Sequence, residues 1–397
     1  MKLTTILFLI LALGAGSMLY GQAAPTPTAS PTPTAGSEII QTTLTTKTTR
    51  VPGITDQVQK QLEAAAQLMQ DGKHEESVAA HTTFIKAHPN IMVAYNNRGY
   101  SYMQLGKLEA AIVDFNTALK LSPMSMTYSN RGMAFLQKGD FKNAFADLTK
   151  AIELNPQDSL AYNNRSIVQT QTGNLEAALA DSTKALSITP RNAMYLSNRC
   201  YTYSKMGQFE KAIKDCTDSI AIDPKHPTPY GTRGAVYYQI ASYESALADY
   251  DMAVKLHDSF AEYHLSRAVI LAHFGRTEEA VESFSKSIAL KPFAVAYLHR
   301  AAAYAKLKKP DLELADYNKA IEMEPANSVF YNNRGIYYLT HNKTEAALAD
   351  FNKAIELNPK FALGYRNRAY LYKLTGETEK AKADEKTAGT IESSPPN

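Results

Sequence analysis

Tyr95-Asn96-Asn97-Arg98-Gly99, followed by Tyr102, Gly106, Ala111, Phe115, Ala118 and Pro123, is the stretch from which the fold of this 397-residue chain can be read. The same skeleton returns as Tyr331-Asn332-Asn333-Arg334-Gly335, Tyr338, Ala347, Phe351, Ala354 and Pro359. With the small residue at Gly99 as marker, copies fall at Ala65, Gly99, Gly132, Ser166, Cys200, Gly234, Ala268, Ala301, Gly335 and Ala369. The steps are 34 residues, with two of 33. Both short steps fall between Pro123 or Pro292 and the next tyrosine, Tyr128 or Tyr297, so each deletion sits in a loop.

Inside one unit, Tyr95, Gly99 and Tyr102 are spaced four and three and share one helix face. Leu108, Ala111, Phe115 and Ala118 are spaced three, four and three and form a second helix. Gly106 ends the first helix, where a residue without Cβ takes a left-handed conformation. Pro123 stops the second, because it lacks an N–H and clashes with the preceding turn. Folding back about Gly106 sets small Gly99 opposite small Ala111, with the rings filling the space on either side. One hairpin cannot bury this face alone, so neighbours must stack into a solenoid.

The spacing, the small pair, the aromatics and the closing proline together resemble the tetratricopeptide repeat family. The resemblance covers residues 58–391 as ten repeats. It implies an all-α solenoid of tandem antiparallel hairpins in a right-handed superhelix, with much helix and negligible strand. The terminal units depart from the pattern: Gln61 and His81 replace aromatics in the first, and Glu385 among Lys380, Lys382 and Lys386 replaces the ring in the last. A polar outer side on the final helix suits the end of an array, so the array is expected to be complete.

The flanks read differently. Lys2 and the apolar run Leu3 to Leu13 precede Gly21-Gln22-Ala23, the pattern of a signal peptide over 1–23 cleaved after Ala23. If uncleaved, Leu3 to Tyr20 would tether the chain to a membrane. No cysteine lies at the junction, which excludes a bacterial lipoprotein anchor. Residues 24–57 are a Pro/Thr-rich tether, extended because few apolar side chains offset its ordering entropy. Residues 392–397 form a tail expected to be disordered. Lys and Arg number 42 against 39 Asp and Glu, a formal +3 without a basic run, so nucleic acid is not an expected partner.

A regular polar feature is the arginine before the marker: Arg98, Arg131, Arg165, Arg199, Arg233, Arg267, Arg300, Arg334 and Arg368. Sixteen residues on stand Asp114, Asp147, Asp181, Asp215, Asp249, Ser283, Asp316, Asp350 and Asp384. A counter-ion in nearly every unit predicts structural Arg–Asp pairs across helix seams rather than an anion-binding stripe. Read as surface pairs, each is worth about 0–1 kcal/mol.

One residue earlier stand Asn97, Asn130, Asn164, Asn198, Asn333 and Asn367, with Thr232, Ser266 and His299 in the middle units. In the resembled family the first helices line a concave groove, and asparagines here often hold the backbone of an extended peptide. A carboxamide offers donors and an acceptor for that task. The resemblance therefore implies these six as peptide-binding residues. Tyr100, Val93 and Met126 stand where some members clamp a chaperone's C-terminal carboxylate with charged groups, so that ligand is not expected.

His264 and His273 lie nine residues apart on one helix, on opposite sides, and cannot share a metal ion. No phosphate loop, zinc helix motif or nucleophile elbow occurs, so neither enzyme nor cofactor is expected. The two cysteines share one unit. Cys200 takes the close-contact place opposite Ala212, and Cys216 lies a full turn further, near Leu196. That offset favours two buried free thiols, although export would permit a disulfide. The expected function is an exported, periplasmic or extracellular, non-enzymatic scaffold binding a protein or peptide partner. The alternative is a structural component of the cell envelope that self-associates.

Overall fold

The computed structural model describes residue 51 and residues 53–393. The expected signal peptide, the tether up to residue 50 and the last four tail residues lie outside the described residues. Among the described residues twenty helices follow, paired into hairpins. They are α1 (Asp56–Gln70), α2 (His74–Ala87), α3 (Met92–Gln104), α4 (Leu108–Leu121), α5 (Ser125–Gln137), α6 (Phe141–Leu154), α7 (Ser159–Gln171), α8 (Leu175–Ile188), α9 (Ala193–Lys205) and α10 (Phe209–Ile222). Then come α11 (Pro227–Gln239), α12 (Tyr243–Leu256), α13 (Ala261–His273), α14 (Thr277–Leu290), α15 (Ala294–Lys306), α16 (Pro310–Met323), α17 (Ser328–Thr340), α18 (Thr344–Leu357), α19 (Ala362–Leu374) and α20 (Thr378–Ser393). No strand occurs among the described residues. An N-terminal unit ends at Val236 and a C-terminal unit begins at Tyr237, within α11.

Each hairpin turns through three residues. At α3–α4, Gly106 has φ of 70°. There Lys107 N–H donates to Tyr102 O at 2.9 Å and Gly106 N–H to Met103 O at 3.0 Å, satisfying the last carbonyls of α3. Ala241, Lys308 and Asn342 hold the same left-handed backbone, at φ of 60°, 54° and 58°, without the freedom of glycine. The two short steps are loop deletions as expected. Residues 122–124 and 291–293 link hairpins with three residues, where 155–158 use four.

The seam is closed by a large side chain sixteen residues after the small one. A Cβ built on Gly99 would stand 2.8 Å from the Phe115 ring and 3.2 Å from Ala111 O. Gly132 meets Leu148 at 2.8 Å and Gly335 meets Phe351 at 2.7 Å. Ala111 is therefore near, as expected, but the wedge is Phe115. Around such wedges the N-terminal unit buries Tyr100, Met103, Phe115, Met133 and Leu148. The C-terminal unit likewise buries Leu298, Tyr317, Phe330 and Tyr337.

The same register corrects the reading of the cysteines. Cys200 and Cys216 are also sixteen apart, both fully buried, and joined by a disulfide with Cα atoms 5.4 Å apart. The expectation of free thiols fails because the residue facing the marker is the wedge position, a turn beyond Ala212. In the first unit His81 occupies the wedge position, in place of the ring found elsewhere, and is fully buried. Its Nδ1 lies 2.9 Å from Ser77 O, and Ser77 Oγ lies 2.9 Å from Ser101 Oγ. At the other end Glu385 is exposed and paired with Lys373, the polar finish expected there.

Gly335→Leu should destabilise the C-terminal unit by about 3 kcal/mol, the upper range for overpacking, because its Cβ alone would stand 2.7 Å from the Phe351 ring and three more carbons need room. Gly335→Ala should cost less, since Ala268 stands in the same place before Phe284. Thermal unfolding followed by circular dichroism checks both. An unchanged midpoint in the Leu variant is the result that contradicts the seam.

Candidate functional site

Two polar ladders run between the hairpins. In the first, Arg98 on α3 grips Asp114 on α4 with both fork nitrogens, Nε to Oδ2 and Nη2 to Oδ1, each at 2.7 Å. Its third nitrogen donates to Thr82 Oγ1 of the preceding hairpin at 3.0 Å. The guanidinium lies 5.8 and 5.9 Å from the Tyr95 and Tyr102 ring centres. One planar group thus ties its own hairpin together and fastens it to the previous one.

The arrangement repeats. Arg131–Asp147, Arg165–Asp181 and Arg199–Asp215 pair in the N-terminal unit, and Arg300–Asp316, Arg334–Asp350 and Arg368–Asp384 in the C-terminal unit. Third contacts reach back to Asn116, Thr149, Ser285, Asn318 and Asn352. The structural reading of the arginines therefore holds, but not their surface character. The carboxylate side chains keep 4–9% exposure and the arginines 16–20%. Removing one partner then strands a largely buried charge, which costs more than a surface pair. The Asp350 hydrogen bonds raise the Arg334 pKa and hold it charged.

Arg267 explains the missing aspartate. Its Nη1 donates to Ser283 Oγ at 2.8 Å, and its Nε pairs with Asp251 of the preceding hairpin at 2.6 Å. Carboxylate and hydroxyl have exchanged places around an unchanged arginine.

The second ladder is built from the expected peptide-binding asparagines, and the structure places them inside the stack. Asn97, Asn130, Asn164, Asn198 and Asn367 are buried; Asn333 is half-buried and donates to Val329 O at 2.8 Å. Asn130 Nδ2 donates to Asn96 Oδ1 at 3.1 Å, Asn198 to Asn163 at 2.9 Å and Asn367 to Asn332 at 2.8 Å. Asn96 and Asn163 in turn donate to Asn97 and Asn164 next to them, at 3.4 and 3.3 Å. The receiving partners Asn96, Asn163 and Asn332 were overlooked, although the Asn-Asn doublet was visible. These links join hairpins two to three, four to five and nine to ten. Between three and four the ladder is open: Asn130 Oδ1 and Asn164 Nδ2 are buried without a hydrogen-bond partner.

A third anomaly was not read from the sequence. Twelve residues after the marker, eight hairpins carry alanine: Ala111, Ala144, Ala178, Ala212, Ala246, Ala280, Ala347 and Ala381. Hairpin eight carries Glu313, only 7% exposed. It lies near Tyr317 of its own helix and Tyr337 of α17. Among the described residues no cation or hydrogen-bond donor compensates its side chain, and burial pushes its pKa up to about 7. The histidines build no centre: His264 lies 2.9 Å from Asp258 O and His273 packs on Tyr243. Among the described residues no group of three ligating side chains could hold a metal, and no helix is long and apolar enough to cross a membrane.

Family models described as tetratricopeptide repeat match residues 93–125, 125–158, 193–226 and 328–361, and further such models match 148–180, 232–295, 294–327 and 351–383. Among curated proteins no relative matches the chain. Of solved structures, an IFIT1 monomeric mutant with Gppp-AAAA is 15% identical, with a TM-score of 0.50 over 92% of this chain and 96% of that one. A tetratricopeptide repeat protein from Parabacteroides merdae is 25% identical, with a TM-score of 0.44 over 66% and 98%. Pseudomonas aeruginosa PilF is 19% identical, with a TM-score of 0.48 over 51% and 92%. These likenesses concern the fold.

Two outcomes follow from this geometry. Asp251→Asn should lower stability by about 1 kcal/mol, since Asp251 is half exposed. Adding Ser283→Asp should restore it by returning the carboxylate to the usual place; chemical denaturation of the single and double variants decides. The other concerns Glu313. The folded chain keeps its proton to about pH 7, whereas an unfolded one loses it near the ordinary 4.5. The folded state thus binds more protons in that window, and its contribution to stability falls as pH rises from about 4.5 to 7. Buried His81 and half-buried His299, both with lowered pKa values, act in the opposite sense. Comparison with Glu313→Ala therefore isolates the effect: the variant should gain on the order of 3 kcal/mol at pH 7.5 and little at pH 4.5. An equal difference at both pH values contradicts the assignment.

Proposed function

The chain belongs to the tetratricopeptide repeat family, whose arrays typically serve as protein–protein interaction scaffolds, and from that premise we propose that it is an exported scaffold that takes an extended polypeptide along its first helices. The observation that carries this reading is the open rung of the asparagine ladder. Asn130 Oδ1 is an acceptor and Asn164 Nδ2 a donor, on neighbouring hairpins and both unpartnered. A peptide group supplies the complementary N–H and C=O, and it does so for any sequence. Both atoms are covered in the array as it stands, so a polypeptide reaches them by parting the side chains over α5 and α7. Asn96 and Asn163 position these two, the first accepting from Asn130 Nδ2 and the second donating to Asn164 Oδ1. Export is supported by the apolar start of the chain and by the Cys200–Cys216 disulfide, a bond that persists in oxidising compartments.

The test begins with crosslinking capture of a partner from the native compartment. Asn130→Ala with Asn164→Ala should then weaken that partner at least tenfold, about 1.4 kcal/mol. The same variant should lose about 1–2 kcal/mol of stability, because Asn96 Oδ1 and Asn163 Nδ2 lose their neighbours. Asn367→Ala removes a rung of the same kind away from the opening and should leave affinity unchanged. Full affinity in the double variant would place the partner elsewhere on the solenoid.

A further inference from the structure

Hairpins four and five, α7 to α10, break the packing rule of the array. Elsewhere in the N-terminal unit the small residue meets a bulky one at an offset of sixteen: Ala65 and His81, Gly99 and Phe115, Gly132 and Leu148. Hairpin four has Ser166 and Ser182 in these places, and hairpin five has Cys200 and Cys216. Neither pair supplies a ring or branched chain to wedge the helices. The serines do not bridge them either. Ser166 Oγ donates to Asn163 O at 2.6 Å and Ser182 Oγ to Leu179 O at 3.1 Å, each within its own helix. A stretch with little wedge packing opens more readily than neighbours that have it. The chain's two cysteines lie there, bonded to each other.

We propose that the Cys200–Cys216 bond is a redox-set fastener for this stretch, holding α9 to α10 where ring packing is missing and leaving hairpins four and five as a soft joint when it is reduced. The chemistry is a two-electron exchange with a dithiol. One thiolate attacks a sulfur of the pair, and the second resolves the mixed disulfide. The reductant leaves as a disulfide, and its two electrons and two protons leave Cys200 and Cys216 as thiols. Both cysteines are fully buried, so the reductant acts through local opening of hairpin five. Two small thiols then stand where other hairpins have a ring, and the helices they join keep Arg199–Asp215, the hydrogen bond from Ser219 Oγ to Ala193 O and the apolar contacts of Tyr203, Phe209 and Ile213. The fastener requires nothing of the asparagine ladder and stands apart from the peptide-binding reading.

The experiment uses the full chain in oxidised form and, from reducing expression, in dithiol form, with amide hydrogen exchange read by mass spectrometry. Amides of α7 to α10 should exchange at least tenfold faster in the dithiol form, while those of α3 to α6 stay unchanged. Cys200→Ser with Cys216→Ser should behave as the dithiol form in any redox buffer. Cys200→Gly with Cys216→Phe, which restores the ring wedge, should behave as the oxidised form and ignore reductant. Two free thiols in the denatured oxidised chain overturn the proposal. So do equal exchange rates in oxidised and dithiol forms, or a serine variant as protected as the oxidised chain. If the Gly/Phe variant does not fold, the unaltered chain in its two redox forms still decides.

Discussion

Everything in this array hangs on one register: at the level of the marker, the arginine and the small residue of the first helix each meet the residue sixteen positions later on the second. Two antiparallel helices joined by a three-residue turn can hold only a few such registers, and the left-handed turn residue selects this one. At the marker position the register brings a small residue under a ring, as at Gly99 and Phe115. One residue earlier it brings arginine onto aspartate. Rotating the second helix by one residue, about 100°, would aim Asp114 away from Arg98 and lift Phe115 off the glycine together. Apolar packing and charge pairing therefore specify the same geometry and reinforce one another.

The arginines also explain how hairpins cohere along the stack. Two guanidinium nitrogens are spent inside a hairpin and the third on the hairpin before it, so folding of one unit prepares the binding of the next. That is nearest-neighbour coupling in a repeat protein, carried by one identifiable side chain. The asparagine amides add a second, intermittent link. Disturbances such as Glu313 remain local under this scheme, because a hairpin is held mostly by what lies immediately beside it.

Much of this was legible in the sequence because it rests on offsets along the chain. The ten hairpins, the glycine turns, the loop deletions and the Arg–Asp pairs all follow from residue spacing. The disulfide was misjudged although its signal was present: Arg199 and Asp215 were paired at sixteen, and Cys200 and Cys216 stand one residue on at the same offset. The error lay in measuring the cysteine from Ala212, a neighbour at the seam but not the facing residue. The burial of the asparagines was less accessible. It depends on how closely successive first helices approach, and periodicity carries no distance between repeats. The place of His81 was legible, at an aromatic position, but not its polar surroundings, which Ser77 and Ser101 provide in the core.

The exchange of Asp251 and Ser283 bears on how such an array can be rearranged by duplication or loss. Most hairpins carry the aspartate for their own arginine and a neutral acceptor for the next, so each is a self-contained module. Hairpins six and seven are not. Without hairpin seven, Arg300 would meet Asp251 in place of Ser285 and stand between two carboxylates. With hairpin six gone, Arg267 would be left with Ser283 and without the carboxylate of Asp251. These two hairpins can be copied or deleted only as a pair, and they set a phase in an otherwise interchangeable sequence of units.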